Sequence, residues 1–207
     1  MEILFNSCFQ LILEGLEMDT LGDTQESGQQ GERKLAAIMF TDMVGYTALM
    51  QEDEKHAKIL RDKHRDVLER LVSEHRVKTL QYYGEATLSI FGSAIEAAVC
   101  GMKIQKALQE IPKVPLRIGI NAGDIVYDDE GVYGDGVNVA SRIENISLPG
   151  SVLISEKIHE ELKNQKELSS TYLGQYELKN VKQPTRIYAI NAEGIVVPTP
   201  EQIEGKT

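Results

Sequence analysis

Asp42 follows the apolar run Leu35-Ala36-Ala37-Ile38-Met39-Phe40, which is long enough for a buried strand and breaks at Thr41-Asp42 before the chain turns through Gly45. A carboxylate at the mouth of a buried strand is placed either to hold a metal cation or to cap the helix that follows, and its neighbours alone do not decide between these. Glu85 stands in Tyr83-Gly84-Glu85, between apolar runs at 77–83 and 86–91. Two such runs around a Gly-acid turn read as a hairpin that presents the acid at its tip. Acids in turns are ordinarily solvated, so this position gains meaning only beside the others. Asn138 and Arg142 lie at i and i+4 on a segment that reads as helix; they share a face and can reach one ligand, or bridge to nearby carboxylates.

The composition limits what such a constellation can serve. The 207 residues have room for one domain and some tail, and a hydrophobic content of 42% is enough for an ordinary core. A formal charge of −10 argues against a nucleic-acid-binding face, which needs surplus Lys and Arg to neutralise phosphates. An acidic chain can still take a nucleotide locally, once its carboxylates recruit divalent cations. Cys8 and Cys100 make no disulfide framework, and Cys100 sits on an apolar helical stretch, which points to a reducing, cytoplasmic setting. Four scattered histidines without close Cys partners argue against structural zinc. No apolar run reaches the roughly 18 residues of a membrane-spanning helix, and the start lacks the marks of an export signal.

The elements that must position these residues follow from periodicity and punctuation. Residues 1–18 could form a short helix through Ile3, Leu4, Leu11, Ile12 and Leu16 that pairs with a partner or regulates, or they form a poorly ordered leader; 19–34 read as a polar linker. A strand through Asp42 is followed by a short helix with Tyr46, Ala48 and Leu49. A long helix over 53–74 then carries Ala57, Leu60, His64, Val67, Leu68 and Leu71 at spacings of three and four. After the hairpin, 93–110 is an alanine-rich helix ended by Pro112 and Pro115, and 116–126 is a strand. An acidic loop over 127–131 precedes the helix of Asn138 and Arg142. A strand at 152–154, a short helix capped by Ser155, strands at 173–178 and 185–190, and a dispensable tail complete the chain. The expected order is β-α-α-β-β-α-β-α-β-α-β-β, an α/β arrangement with one mixed sheet covered by long helices. The organisation is an N-terminal leader and linker over 1–31, a catalytic domain over 32–192 and a C-terminal tail over 193–207.

Five stretches together resemble the class III adenylate/guanylate cyclase catalytic domain. They are Phe40-Thr41-Asp42-Met43-Val44-Gly45-Tyr46-Thr47, Tyr83-Gly84-Glu85-Ala86-Thr87-Leu88-Ser89-Ile90-Phe91, Arg117-Ile118-Gly119-Ile120-Asn121-Ala122-Gly123, Tyr133-Gly134-Asp135-Gly136-Val137-Asn138-Val139-Ala140-Ser141-Arg142 and Tyr176-Glu177-Leu178-Lys179-Asn180-Val181. The resemblance implies a ferredoxin-like βαββαβ mixed sheet with extra C-terminal strands. It implies attack of a ribose 3′-hydroxyl on the α-phosphate of a nucleoside triphosphate, with cyclic nucleotide and pyrophosphate as products. By the same resemblance Asp42 and Glu85 hold two divalent ions per site, Mg²⁺ or Mn²⁺. Asn138 orients the ribose, and Arg142 stabilises charge on the α-phosphate. Phe40, Thr41, Gly45, Tyr46, Thr47, Gln81, Gly84 and Gly131 line the substrate. The family's sites lie at the interface of a head-to-tail homodimer, and its catalytic domains commonly follow a sensor or receptor domain.

The sequence departs from the family pattern at three of these positions. Glu85 replaces an Asp and carries one methylene more; Gln81 stands where the family's adenine-reading Lys does, and Gly131 where its Asp or Thr partner does. An amide can donate to or accept from either purine, and Gly offers only backbone. Adenylate cyclase is the favoured reading, because the Glu and Cys of the guanylate type are absent from these positions. A guanylate or relaxed-purine cyclase, and a degenerate nucleotide-binding or dimerising module, are the alternatives. Base reading could also fall to a shifted neighbour such as Glu130.

Overall fold

The sheet is laid out from β1 (Glu32–Met43), which is paired on both sides. A computed structural model of the chain describes residues 32–75, 77, 79–128 and 131–204; the expected leader and its helix, Cys8 and Glu130 lie outside the described residues. Along its whole length β1 runs antiparallel to β4 (Leu116–Asp128), from Glu32 opposite Tyr127 to Met43 opposite Leu116. On its other side it pairs with β3 (Ala86–Phe91), from Ala37 opposite Phe91 to Thr41 opposite Thr87. A strand covered on both faces needs apolar residues at successive positions, which is why 36–40 reads as an unbroken run; Ile38 and Met39 are both fully buried.

The remaining strands are β2 (Thr79–Tyr83), β5 (Gly131–Tyr133), β6 (Val152–Ser155), β7 (Ser169–Tyr176) and β8 (Thr185–Asn191). Their order across the sheet is β2-β3-β1-β4-β6-β8-β7, with β5 paired to β4. The pairing of β4 with β6 is parallel and the other ladders are antiparallel. The helices are α1 (Tyr46–Glu52), α2 (Glu54–Glu74), α3 (Ala94–Leu108), α4 (Asp135–Ile146), α5 (Glu156–Leu162) and α6 (Pro200–Glu204). This is a mixed α/β fold with a central mixed sheet and flanking helices, as expected.

Two apolar clusters flank the sheet, and the period of two along each strand sorts residues between them. Val152 and Ile154 of β6 pack with α2, α3 and α5, while Leu153 between them packs with α4 and β8. The caps follow sequence: Asp53 accepts from the backbone N–H of His56 at 3.0 Å to start α2, and Ser93 accepts from that of Glu96 at 3.4 Å to start α3.

Four expectations differ from the structure. The three residues of β5 fall inside what reads as loop, because so short a strand shows no alternation. Strand β7 begins at Ser169, ahead of the expected 173; it is an edge strand whose outer residues are polar and exposed, and a register shift lies between Tyr172 and Gly174. Ser155 precedes α5 but makes no side-chain cap, its Oγ being buried instead. The expected dispensable tail is docked: Val196 bridges to Ser151, and Ile203 of α6 is fully buried in the cluster around α4.

Candidate active site

Strand register places the first chemistry-bearing pair. Asp42 lies directly opposite Arg117 on β4, and the guanidinium donates through Nη2 to Asp42 Oδ2 at 2.5 Å. Its Nε faces Glu144 Oε1 of α4 at 2.8 Å, so one arginine ties the end of β1 to the helix that carries Asn138 and Arg142. Asp42 and Arg117 keep about a fifth of their side-chain surface, and Glu144 8%. Burial raises the pKa of Asp42, against the opposing pull of the Arg117 charge and hydrogen bond.

Asp42 therefore does not cap the helix that follows it. The N-cap of α1 is Gly45, at φ +77°, with no side-chain cap bond. Glu85 joins Asp42 from the β2–β3 hairpin, whose two-residue turn puts Gly84 at φ +67°, a conformation that suits glycine at the first turn position. Far from being solvated, Glu85 is 7% exposed. Burial, with the negative charge of Asp42 added, pushes its carboxyl up to about 7.

A second cluster forms away from these charges. Gln81 of β2 and Gly131 at the start of β5 meet: a side-chain carbon at Gly131 would stand 3.2 Å from Gln81 Nε2. Tyr83, on the same face of β2, donates its hydroxyl to Gln81 Oε1 at 3.1 Å.

Helix α4 is brought against β4 by missing side chains. A Cβ on Gly119 would lie 2.2 Å from the backbone nitrogen of Glu144 and 2.7 Å from the carbonyl oxygen of Ala140. On α4, Asn138 is half-buried, while Arg142 is 7% exposed and donates through Nε to the carbonyl of Lys179 at 3.1 Å. That carbonyl belongs to the β7–β8 connection, where Asn180 follows at φ +61°.

Phe40 and Thr41 turn their side chains into the core, so any lining of a substrate by them falls to their backbone. They are 2% and 0% exposed, and Thr41 Oγ1 is bonded to Thr87 Oγ1 at 2.7 Å, because β1 is covered on both faces. Gly45, Tyr46 and Thr47 stand instead at the start of α1, the two side chains half-buried. Sequence reasoning missed Arg117, Glu144 and Tyr83. Arg117 left a signal: a basic residue inside Leu116-Arg117-Ile118-Gly119-Ile120 needs an acid partner when that strand is buried.

The donor types at Asp42 and Glu85 suit a hard divalent cation: two carboxyls within electrostatic reach, one of them holding its proton up to about neutrality until a cation displaces it, with Asp42 giving a single oxygen to Arg117. Among the described residues no group of three or more His, Cys, Asp or Glu side chains gathers around one point.

The sequence profile of the adenylate and guanylate cyclase catalytic domain matches residues 29–192. The chain belongs to this family. It is 39% identical over 164 residues to a Rhizobium meliloti protein that carries the name adenylate cyclase 3, an alignment covering 75% of the chain and 28% of that relative. It is 29% identical over 157 residues to human guanylate cyclase soluble subunit beta-2, covering 65% of the chain and 25% of the relative. The chain thus spans about a quarter of the length of these relatives. Among solved structures, the adenylate/guanylate cyclase/hydrolase from Silicibacter pomeroyi superposes with a TM-score of 0.72 at 32% identity, covering 79% of this chain and 99% of that one. The cyclase domain has the family's fold, and no helix among the described residues is long and apolar enough to cross a membrane.

Proposed function

We propose that the cyclase domain converts ATP to 3′,5′-cyclic AMP and pyrophosphate at composite sites in a head-to-tail homodimer. The observation that carries this reading is the meeting of Asp42 and Glu85. Carboxyls far apart in sequence, one from the end of β1 and one from the β2–β3 turn, come within electrostatic reach of each other in a largely desolvated corner, an arrangement that costs stability unless a cation is to be held there. Bound Mg²⁺ or Mn²⁺ would neutralise the triphosphate and lower the pKa of the 3′-hydroxyl.

In this reading the 3′-oxygen loses its proton and bonds to the α-phosphorus as the bond to the bridging oxygen of pyrophosphate breaks. Asn138 orients the ribose. Arg142, held at Nε by the Lys179 carbonyl, presents the rest of its planar fork to the α-phosphate as charge builds there. These two residues act on a nucleotide whose metal ligands belong to the partner protomer. Gln81 and Gly131 read the base, Gly45, Tyr46 and Thr47 approach the phosphates, and Gly84 lets the hairpin set Glu85. In this reading the catalytic domain spans 32–192 of a cytoplasmic signalling protein, and residues 1–31 are a leader and linker that serve either as a regulatory element or as the link to a sensor domain.

A guanylate or relaxed-purine cyclase is the second reading. It is favoured by the neutral Gln81 beside a bare Gly131, where the family's charged pair is missing. The deciding experiment incubates purified dimer with ATP or GTP, with Mg²⁺ or Mn²⁺, and quantifies both cyclic nucleotides. Cyclic AMP is expected to form faster. Equal rates, or an excess of cyclic GMP, would reject the adenylate assignment.

A further inference from the structure

Gln81 alone is a poor reader of purines, because its amide can turn either end to the base. Tyr83 removes that freedom. Alternate residues of a strand share a face, so Tyr83 stands beside Gln81 on β2, and its hydroxyl hydrogen is given to Gln81 Oε1 at 3.1 Å. The amide nitrogen is then the end that faces Gly131, 3.2 Å from where a side chain would begin there. Tyr83 is itself half-buried, and burial raises the pKa of its phenol, so it stays a hydrogen donor across the working pH range.

We propose that Tyr83 is the positioning residue for base selection: by holding the Gln81 carbonyl, it makes Gln81 a pure hydrogen-bond donor toward the purine. A pure donor is what a lysine would supply at this position. It matches N1 of adenine, which accepts, and opposes N1 of guanine, which carries a hydrogen. Released from Tyr83, the amide could rotate and offer its oxygen to guanine N1–H, so selectivity would relax. Gly131 contributes by contributing nothing: with no side chain there, the fixed Gln81 nitrogen is the group the base edge meets.

This inference rests on the reading of the chain as an adenylate cyclase, and the test separates the two. Wild type, Tyr83→Phe, Gln81→Lys and the double variant Tyr83→Phe/Gln81→Lys are compared for kcat and KM with ATP and with GTP. Binding of both nucleotides is measured in parallel by displacement of a fluorescent ATP analogue. For Tyr83→Phe the ratio of kcat/KM for ATP over GTP is expected to fall about fivefold, the scale of one net hydrogen bond. The change should lie mainly in KM, with GTP gaining as ATP loses. In the Gln81→Lys background, where the donor needs no fixing, the same substitution should leave the ratio within about twofold. A Tyr83→Phe ratio equal to wild type, or an equal fall in both backgrounds, would overturn the proposal. Should the wild type turn over neither nucleotide, the cyclase reading fails on its own, and the binding ratio judges Tyr83 by the same fivefold criterion.

Discussion

The corner around Asp42 and the corner around Gln81 are built on opposite principles. Asp42, Arg117 and Glu144 form a charged, mostly desolvated knot set by strand register, and Glu85, placed by a two-residue turn, lies within reach of the Asp42 charge. Gln81, Tyr83 and Gly131 form a neutral, partly open patch in which one side-chain hydrogen bond decides which atom is presented. In the first, removing a partner strands a charge, so errors are expensive. In the second, the backbone stays put when a hydroxyl is lost, so preference can change without loss of the fold. Under the proposed function, chemistry is thereby held fixed while base choice is left adjustable.

The largest effects should come from breaking the charged corner at Asp42 or from removing Arg142 on α4. Asp42→Ala and Arg142→Ala are each expected to lower cyclic AMP formation by at least about a hundredfold. Mixed together, the two inactive proteins should recover about a quarter of wild-type activity: half the dimers pair unlike protomers, and each of those regains one of two sites. No recovery from a mixture shown to contain heterodimers would place both residues in a single protomer's site.

Arg117→Met is expected to reduce folding stability by about 2 kcal/mol, less than a fully buried ion pair would cost because the arginine is a fifth exposed. Adding Glu144→Gln should recover part of this by removing one stranded charge. A urea midpoint that barely moves would make the knot a surface feature.

The smallest effect separates the corners by pH. The Glu85 carboxyl is raised from 4.5 to about 7, so its contribution is fully present below pH 4.5 and is lost as pH rises through about 7. In metal-free buffer, Glu85→Gln should therefore be more stable than wild type, by a margin that grows across that window and levels off above it. Comparing the two proteins cancels the opposite slope from His64. That ring is buried and lowered to about 4, so stability is lost as pH falls from 6.5 toward 4 in both. A margin that does not change with pH would mean that Glu85 is solvated, and one that shrinks with rising pH would mean that its carboxylate is held by a positive charge.

Much of this was legible before the structure. Asp42 at a strand end, Glu85 in a tight turn and Asn138 with Arg142 on one helix face are consequences of local periodicity, and they are where sequence placed them. What sequence could not show was pairing across the sheet. Nothing local says that Arg117 faces Asp42, because that depends on the register of two strands over 70 residues apart. The Tyr83 bond to Gln81 was closer to hand, two residues along one strand, but a tyrosine in an apolar run reads as core. The dispensable tail was misread for a related reason: its isoleucines are too few to show a pattern, yet Ile203 is fully buried.

Gly119 sets a tolerance for the whole machine. Where side chains separate a helix from a sheet, a substitution can be absorbed by another rotamer; where backbone meets backbone, there is no such slack. The spacing between the strands that carry Asp42 and Arg117 and the helix that carries Asn138 and Arg142 is thus a fixed gauge. A single methyl group at Gly119 would lift all of α4 at once, and would be felt simultaneously at Asn138, at the Lys179 carbonyl and at the Arg117 knot.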